Sequence, residues 1–153
     1  METSVRTRVS HSMSHPAPRL SHLLESSLYV QDLDRSRAFY RRLFGLEELL
    51  VEERMSGFAI PGGSILLLFK QGGSTHPTPT PGGTIPPHDS SGTQHLAFAI
   101  PKSELEAWES HLAAQQIQIE SRVTQRFGGT SLYFRDPDGH SLEIATPGLW
   151  RIY

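Results

Sequence analysis

Two stretches of the chain show the same order of residue patterns, and this repeat constrains the fold more than any other feature. Each begins with a short apolar strand pattern, at residues 25–30 and 95–100, and continues into a helical pattern and three further strand patterns. The two starting points lie about seventy residues apart, as an internal duplication would place them. A single βαβββ unit leaves one apolar sheet face uncovered. The sequence therefore predicts two tandem βαβββ modules that pack together.

The positions of glycine and proline along the chain indicate the boundaries of these modules. Residues 71–93 are rich in both, which predicts a linker or long loop rather than a regular element. The N-terminal residues are polar and interrupted by prolines, which predicts a flexible tail. The predicted organisation is a tail at 1–20, one domain at 21–148 (module one at 23–70, the linker at 71–93 and module two at 94–148), and a C-terminal tail at 149–153.

Local signals define the helices and one hairpin. Asp32 precedes a helical pattern that ends at Gly45, and Ser103 with Glu106 matches a capping box for the second helix. The sequence at 136–139, Asp-Pro-Asp-Gly, is typical of a tight turn between two strands. The predicted fold class is α+β, with a curved mixed sheet that forms a cup and helices on its outer side.

Composition excludes several classes of function. The 153 residues carry a net charge of -2 and contain no cysteine, which excludes disulfides and thiolate sites and argues against nucleic-acid binding. No apolar run approaches the length of a membrane span or a secretory signal, so a cytoplasmic protein is expected, with no membrane partner. No nucleotide cofactor is expected.

Alternation along the strands indicates which side chains face the cup. In the first strand of each module and in the last strand of module two, the large apolar residues share one face. The opposite faces present Glu25, His95 and Glu143. Two carboxylates and one imidazole on rigid strands could hold a divalent metal, Fe(II), Mn(II), Ni(II) or Zn(II), and leave positions open for a substrate.

Further polar side chains lie on the strand faces that are expected to line the cup. Tyr29, Ser131 and Tyr133 could orient a substrate or donate a proton to a developing oxyanion, and Arg126 could meet an anionic substrate. Tyr133 is the candidate for proton transfer, with Glu143 as a second catalytic candidate. Two histidines are expected to be exposed: His140 as a solvated residue of the tight turn, and His88 on the linker.

Several motifs together resemble the vicinal oxygen chelate superfamily, which includes glyoxalase I, extradiol dioxygenases, fosfomycin resistance enzymes and metal-free bleomycin-binding proteins. The resemblance covers about residues 23–148. The motifs are LYVQDLDRS at 28–36, FY at 39–40, LFGL at 43–46, HLAF at 95–98, LYFRDPDGH at 132–140 and LE at 142–143. The resemblance places the family's metal ligands on Glu25, His95 and Glu143, and the fourth ligand of glyoxalase I near Leu66, which is apolar.

The resemblance implies a metal-dependent enzyme that chelates adjacent oxygens of a small-molecule substrate, by lyase or dioxygenase chemistry. The alternative is a metal-free protein that binds a drug or metabolite. Two modules can close a cup within one chain or across a homodimer, and the linker permits either. A homodimer is expected, and in that case Glu25 could share a metal with His95 and Glu143 of a second chain.

Overall fold

A computed structural model describes residues 16–153. Its regular elements follow the predicted order in both modules, with an additional short hairpin in the linker. They are β1 (Glu25–Val30), α1 (Leu33–Phe44), β2 (Glu48–Val51), β3 (Met55–Ile60), β4 (Ser64–Lys70), β5 (Thr78–Thr80), β6 (Gly83–Ile85), β7 (His95–Ala99), a 3-10 turn (Lys102–Glu104), α2 (Leu105–Ala114), β8 (Ser121–Thr124), β9 (Thr130–Arg135) and β10 (Ser141–Ala145).

The ends of α1 match the sequence signals, whereas the start of α2 does not. Asp32 accepts a hydrogen bond from the backbone of Arg35, and Gly45 ends the helix with a φ of 62°. The capping box predicted at Ser103 is absent, because the 3-10 turn occupies that position and no side chain caps α2. The strand predicted at 117–123 is also shorter, since β8 begins at Ser121.

Each module forms one four-stranded mixed sheet with the same topology. The strand orders are β1-β4-β3-β2 and β7-β10-β9-β8, with the first and last strands of each module parallel and the other pairs antiparallel. This confirms the duplication and the α+β fold. The strands β1 and β7 each form one edge of their sheet.

The two modules share one hydrophobic core. It combines the apolar faces of both sheets with residues of both helices, and includes Leu28, Leu66, Phe134 and Ile144 at 2% exposure or less. Phe44 at the end of α1 packs on Phe98 of module two, with ring centroids 4.6 Å apart. The opposite face of each sheet therefore lies away from this core. Neither helix in the described part of the chain has the length and apolarity of a membrane span.

Polar contacts join β1 and α1 to module two. The side chain of His140 is fully buried, and its Nε2 lies 2.8 Å from the carbonyl oxygen of Tyr29. The backbone N–H of Tyr29 donates to the Gln94 side chain, and Tyr40 donates its hydroxyl proton to Asp136. The expectation that His140 is a solvated turn residue was wrong, because the turn places its ring against β1.

The linker is more ordered than the sequence suggested. It contains the hairpin of β5 and β6, so the expectation that it holds no regular element was wrong. His88, expected to be exposed, is half-buried, and its backbone N–H donates to the carbonyl of Ser74. The predicted N-terminal tail lies mostly outside the described residues, and residues 16–20 are exposed without regular structure.

Candidate metal centre

The candidate centre lies on the face of the second sheet that points away from the core. Parallel pairing places His95 beside Ser141, and Glu143 beside Ala97, while Glu143 also lies opposite Tyr133 of β9. Neighbours in register share a face of the sheet. The alternation predicted from the sequence therefore places His95, Glu143 and Tyr133 together.

His95 and Glu143 form a close pair with unequal burial. Nε2 of His95 lies 3.3 Å from Oε2 of Glu143, and the side chains are 53% and 4% exposed. Nδ1 of His95 lies 2.9 Å from the carbonyl oxygen of Ser141. A carbonyl can only accept, so Nδ1 carries the proton, and in the neutral ring Nε2 presents a lone pair towards the carboxylate.

This arrangement fits a divalent metal. Two ligand atoms at about 2.0–2.2 Å from one ion, at angles near 90–110°, are about 3–3.5 Å apart, which matches the observed separation. The other carboxylate oxygen, Oε1 of Glu143, is buried without a hydrogen-bond partner. A backbone carbonyl that holds the ring of a ligating histidine is a common feature of metal sites.

Glu25 does not join this pair within the chain. Among residues 16–153, no cluster of three or more histidine, aspartate and glutamate side chains could hold a metal ion. Glu25 is exposed at the start of the edge strand β1, directly after Leu23 and Leu24, which are 72% and 60% exposed. The predicted three-ligand site is thus divided between two sheet faces.

Ser131 and Tyr133 lie on the same sheet face as the pair, where Tyr133 is opposite Glu143 and Ser131 is opposite Ala145. They contact a residue that the sequence analysis missed. The side-chain amide of Gln125 donates to Ser131 Oγ at 2.8 Å and to Tyr133 Oη at 3.4 Å. The ring of Tyr133 stacks on His95 with centroids 6.2 Å apart. Gln125 lies in the turn between β8 and β9, where no strand alternation could indicate its direction.

The remaining candidates lie elsewhere. Tyr29 is on the corresponding face of the first sheet, where its hydroxyl lies 2.6 Å from Nδ1 of His88. Burial, with a smaller contribution from the charge of Asp89, raises the pKa of Tyr29. Arg126 is exposed in the turn after β8, and its guanidinium lies 5.6 Å from the ring centroid of Phe127.

Comparison with known proteins identifies the family. Residues 19–144 match the model of the Glyoxalase/Bleomycin resistance protein/Dioxygenase superfamily. The chain belongs to this superfamily. Leu66, near which the resemblance placed the fourth ligand of glyoxalase I, is buried in the core, and its neighbours Ile65 and Leu67 on the outer face are also apolar.

Relatives within the superfamily include named enzymes. The chain is 32% identical over 123 residues to the metallothiol transferase FosB of Shouchella clausii, covering 76% of this chain and 74% of the relative. The FosB of Bacillus licheniformis is 31% identical over 128 residues, covering 83% and 74%.

Solved structures of the superfamily have the same fold as this chain. The crystal structure of lactoylglutathione lyase from Agrobacterium tumefaciens superposes with a TM-score of 0.79 at 34% identity, covering 88% of this chain and 99% of that one. A glyoxalase/dioxygenase from Nostoc punctiforme gives a TM-score of 0.64 at 30% identity, covering 87% and 96%. Membership and these relatives support a metal-dependent enzyme of the vicinal oxygen chelate type.

Proposed function

We propose that this protein is a metal-dependent enzyme that acts on a small molecule with two adjacent oxygens. The observation that carries the proposal is the Glu143 carboxylate, which is almost fully buried, with one oxygen lacking a partner and the other 3.3 Å from Nε2 of His95. A buried charge needs a counter-charge. A divalent cation held by His95 and Glu143 would supply it.

The metal-free alternative is an ion pair between these two side chains. It requires a protonated His95 ring, with Nδ1 donating to Ser141 and Nε2 donating to Glu143. That pair would still leave Oε1 of Glu143 buried without a partner. A metal bound through both carboxylate oxygens would also engage Oε1, and a metal agrees with the enzymatic relatives. The ion pair is what a binding protein without metal would contain.

We place the third ligand, Glu25, on a second copy of the chain. Glu25 is exposed on an edge strand, outside any cluster of potential ligands in the described residues, and it follows two exposed leucines. Exposed apolar side chains at the start of an edge strand favour a covering partner. A homodimer in which the first sheet of one copy faces the second sheet of the other would bring Glu25 to His95 and Glu143.

The surrounding hydroxyls complete the proposed site. When bound, the metal would act as a Lewis acid towards the chelated substrate oxygens. Because Gln125 donates to the oxygens of Ser131 and Tyr133, the hydroxyl protons of both residues are free to donate to a substrate oxygen. Tyr133 is the proposed proton-transfer group, and Tyr29 and Arg126 remain proposed substrate contacts.

The reaction class is proposed from the relatives. Two relatives are named metallothiol transferase, and one solved structure is named lactoylglutathione lyase. Both names refer to a thiol or to a derivative of one. Lyase or group-transfer chemistry on a thiol adduct is therefore proposed ahead of dioxygenase chemistry. A dioxygenase would consume oxygen with the Fe(II)-loaded protein, which an oxygen electrode measures.

Elemental analysis tests the metal. The protein is purified without chelator and reconstituted separately with Fe(II), Mn(II), Ni(II) and Zn(II). We expect close to one equivalent of a preferred metal, lost in Glu143→Ala and retained in the control Glu120→Ala, which removes an exposed glutamate paired with Arg135. No metal in the wild type after reconstitution would contradict the proposal and favour the binding protein.

Mixing variants tests the shared site. Glu25→Ala and His95→Ala homodimers would each lack a complete ligand set. Co-expression would form heterodimers in which one of the two sites is intact, so about a quarter of all sites should bind metal. A site built within one chain predicts no recovery, because every chain then carries a defect.

A further inference from the structure

The outer face of the first sheet differs in chemistry from that of the second. Its register aligns Glu25 with Ile65, Ser27 with Leu67, and Tyr29 with Phe69. Adjoining β3 contributes Gly57 opposite Leu67, and Met55 opposite Phe69. Within β1, β3 and β4, the charge on this face is confined to Glu25. Beyond that residue, the face is an apolar wall centred on Ile65, Leu67 and Phe69.

A glycine keeps the middle of this wall flat. A Cβ added to Gly57 would lie 3.3 Å from Leu67, 3.7 Å from Ile65 and 3.7 Å from Leu50, so a side chain at this position would contact both Ile65 and Leu67. The backbone of Gly57 has no positive φ that would require glycine. Glycine here therefore leaves the side chains of Ile65 and Leu67 uncovered.

The linker closes one end of the wall. His88 packs edge-on against Phe69, with ring centroids 4.5 Å apart, and its Nδ1 lies 2.6 Å from the hydroxyl of Tyr29. Its position is held by the carbonyl of Ser74, whose hydroxyl accepts from Arg54. Phe69 is only 6% exposed as a result. The wall thus runs from Glu25 at one end to the Tyr29 and His88 pair at the other.

We infer that the substrate has two unlike parts: adjacent oxygens at one end, and an uncharged apolar group that lies along the wall of Ile65 and Leu67 towards Tyr29 and His88. This inference rests on the proposed function, because it places the wall opposite the polar face of His95 and Glu143. An apolar surface gains from burying apolar groups and penalises buried charges. The wall therefore selects a neutral group, flat or aliphatic, over a charged one.

Hydroxamates provide the probes, because each presents two adjacent oxygens to a metal. Binding of acetohydroxamate and benzohydroxamate to the metal-loaded wild-type protein is measured by calorimetry. Burial of the additional apolar surface of the phenyl group predicts that benzohydroxamate binds at least about tenfold more tightly. Equal or weaker binding of benzohydroxamate would overturn the inference and leave the proposed function intact.

Matched variants test whether the tighter binding of benzohydroxamate depends on the apolar wall. In Leu67→Asn, the preference for benzohydroxamate should fall severalfold while acetohydroxamate binds as before. The control Ile152→Asn makes a similar change in polarity at a side chain that is 97% exposed, and it should keep the preference. An unchanged preference in Leu67→Asn would contradict the inference. Failure of both hydroxamates to bind would contradict the proposed function itself.

His88 sets the length of the apolar group. We expect wild-type protein to bind 4-phenylbenzohydroxamate less tightly than benzohydroxamate, since the His88 ring closes the end of the wall. His88→Ala should reverse that order, with metal content unchanged. If the longer probe binds equally well to both proteins, His88 does not bound the site.

Discussion

The ring of His140 contacts the edge of β1, with its Nε2 2.8 Å from the carbonyl oxygen of Tyr29, a residue 111 positions away in sequence. Nδ1 of the same ring accepts the backbone N–H of Gln94 at 2.9 Å, so Nε2 carries the proton and the ring is neutral. One fully buried side chain therefore satisfies two backbone groups, one on β1 of module one and one next to β7 of module two.

Replacing His140 should destabilise the protein strongly. His140→Ala leaves a part-buried carbonyl and a part-buried N–H without partners and creates a cavity in place of a fully buried ring, so we expect the free energy of unfolding to fall by about 2–4 kcal/mol. Urea denaturation measures the change. His111→Ala is the control, since it removes a single histidine hydrogen bond, from Nε2 to the Leu43 carbonyl, and should cost less. Similar losses would contradict the special role of His140.

Replacing Glu143 should separate stability from metal binding. In metal-free Glu143→Gln, the introduced amide can donate to the lone pair of His95, so we expect stability equal to or above that of the wild type. Metal at 100 times its Kd should stabilise the wild type by about 2.7 kcal/mol and the variant by much less. Thermal unfolding with and without metal measures both. An equal gain in both proteins would place the metal elsewhere.

Replacing Tyr133 should lower turnover without loss of metal. Tyr133→Phe keeps the ring on His95 and removes the hydroxyl proposed for proton transfer, which predicts a fall in kcat of about 10²-fold or more. Elemental analysis should show the wild-type metal content. The conservative variant Ser131→Ala is the comparison for a hydroxyl that only orients the substrate, and it should change KM more than kcat. An unchanged kcat in Tyr133→Phe would exclude the role.

Glu48 should contribute stability that depends on pH. Hydrogen bonds from Arg37 and Ser56 lower the pKa of Glu48 from its ordinary value of 4.5. A lowered folded-state pKa stabilises the fold above pH 4.5, and this contribution is lost as pH falls through the folded-state value. Glu48→Gln should therefore be less stable at pH 7, by about 1–3 kcal/mol, and lose less stability on acidification.

An exposed glutamate provides the control for Glu48. Arg135 also lowers the pKa of Glu120, but Glu120 is exposed, and solvent screens the pair. Glu120→Gln should unfold with nearly the wild-type dependence on pH. If both variants follow the wild type between pH 7 and about pH 3, the Glu48 network does not contribute the expected stability.

Local chemistry made much of the fold predictable. The strand alternation around Leu28 and Leu142, the N-cap at Asp32 and the left-handed residue Gly45 are set by neighbours in sequence, and all agree with the structure. The capping box at Ser103 failed because the chain tightens into a 3-10 turn there. The alternation of side chains along each strand also predicted that Glu143 and Tyr133 lie on one face of the sheet.

Contacts between distant segments were beyond sequence reasoning. The burial of His140, the position of His88 on Tyr29, and the amide of Gln125 between two hydroxyls each depend on how turns and linkers pack onto strands of other segments. A histidine in a turn has no periodicity that distinguishes a buried ring from a solvated one. Whether Glu25 meets His95 within the chain likewise depends on how the modules pack.

The sequence by itself determined the duplicated βαβββ pattern, the faces of the strands and the residues proposed as metal ligands, because these follow from the period of each element and the chemistry of each side chain. Only the tertiary structure decided which of these residues meet. It brought His95 to Glu143 through the pairing of β7 with β10, and it left Glu25 on a separate sheet edge. The physical reason is that strand pairing and module packing join groups far apart in sequence, and local patterns do not encode such distances.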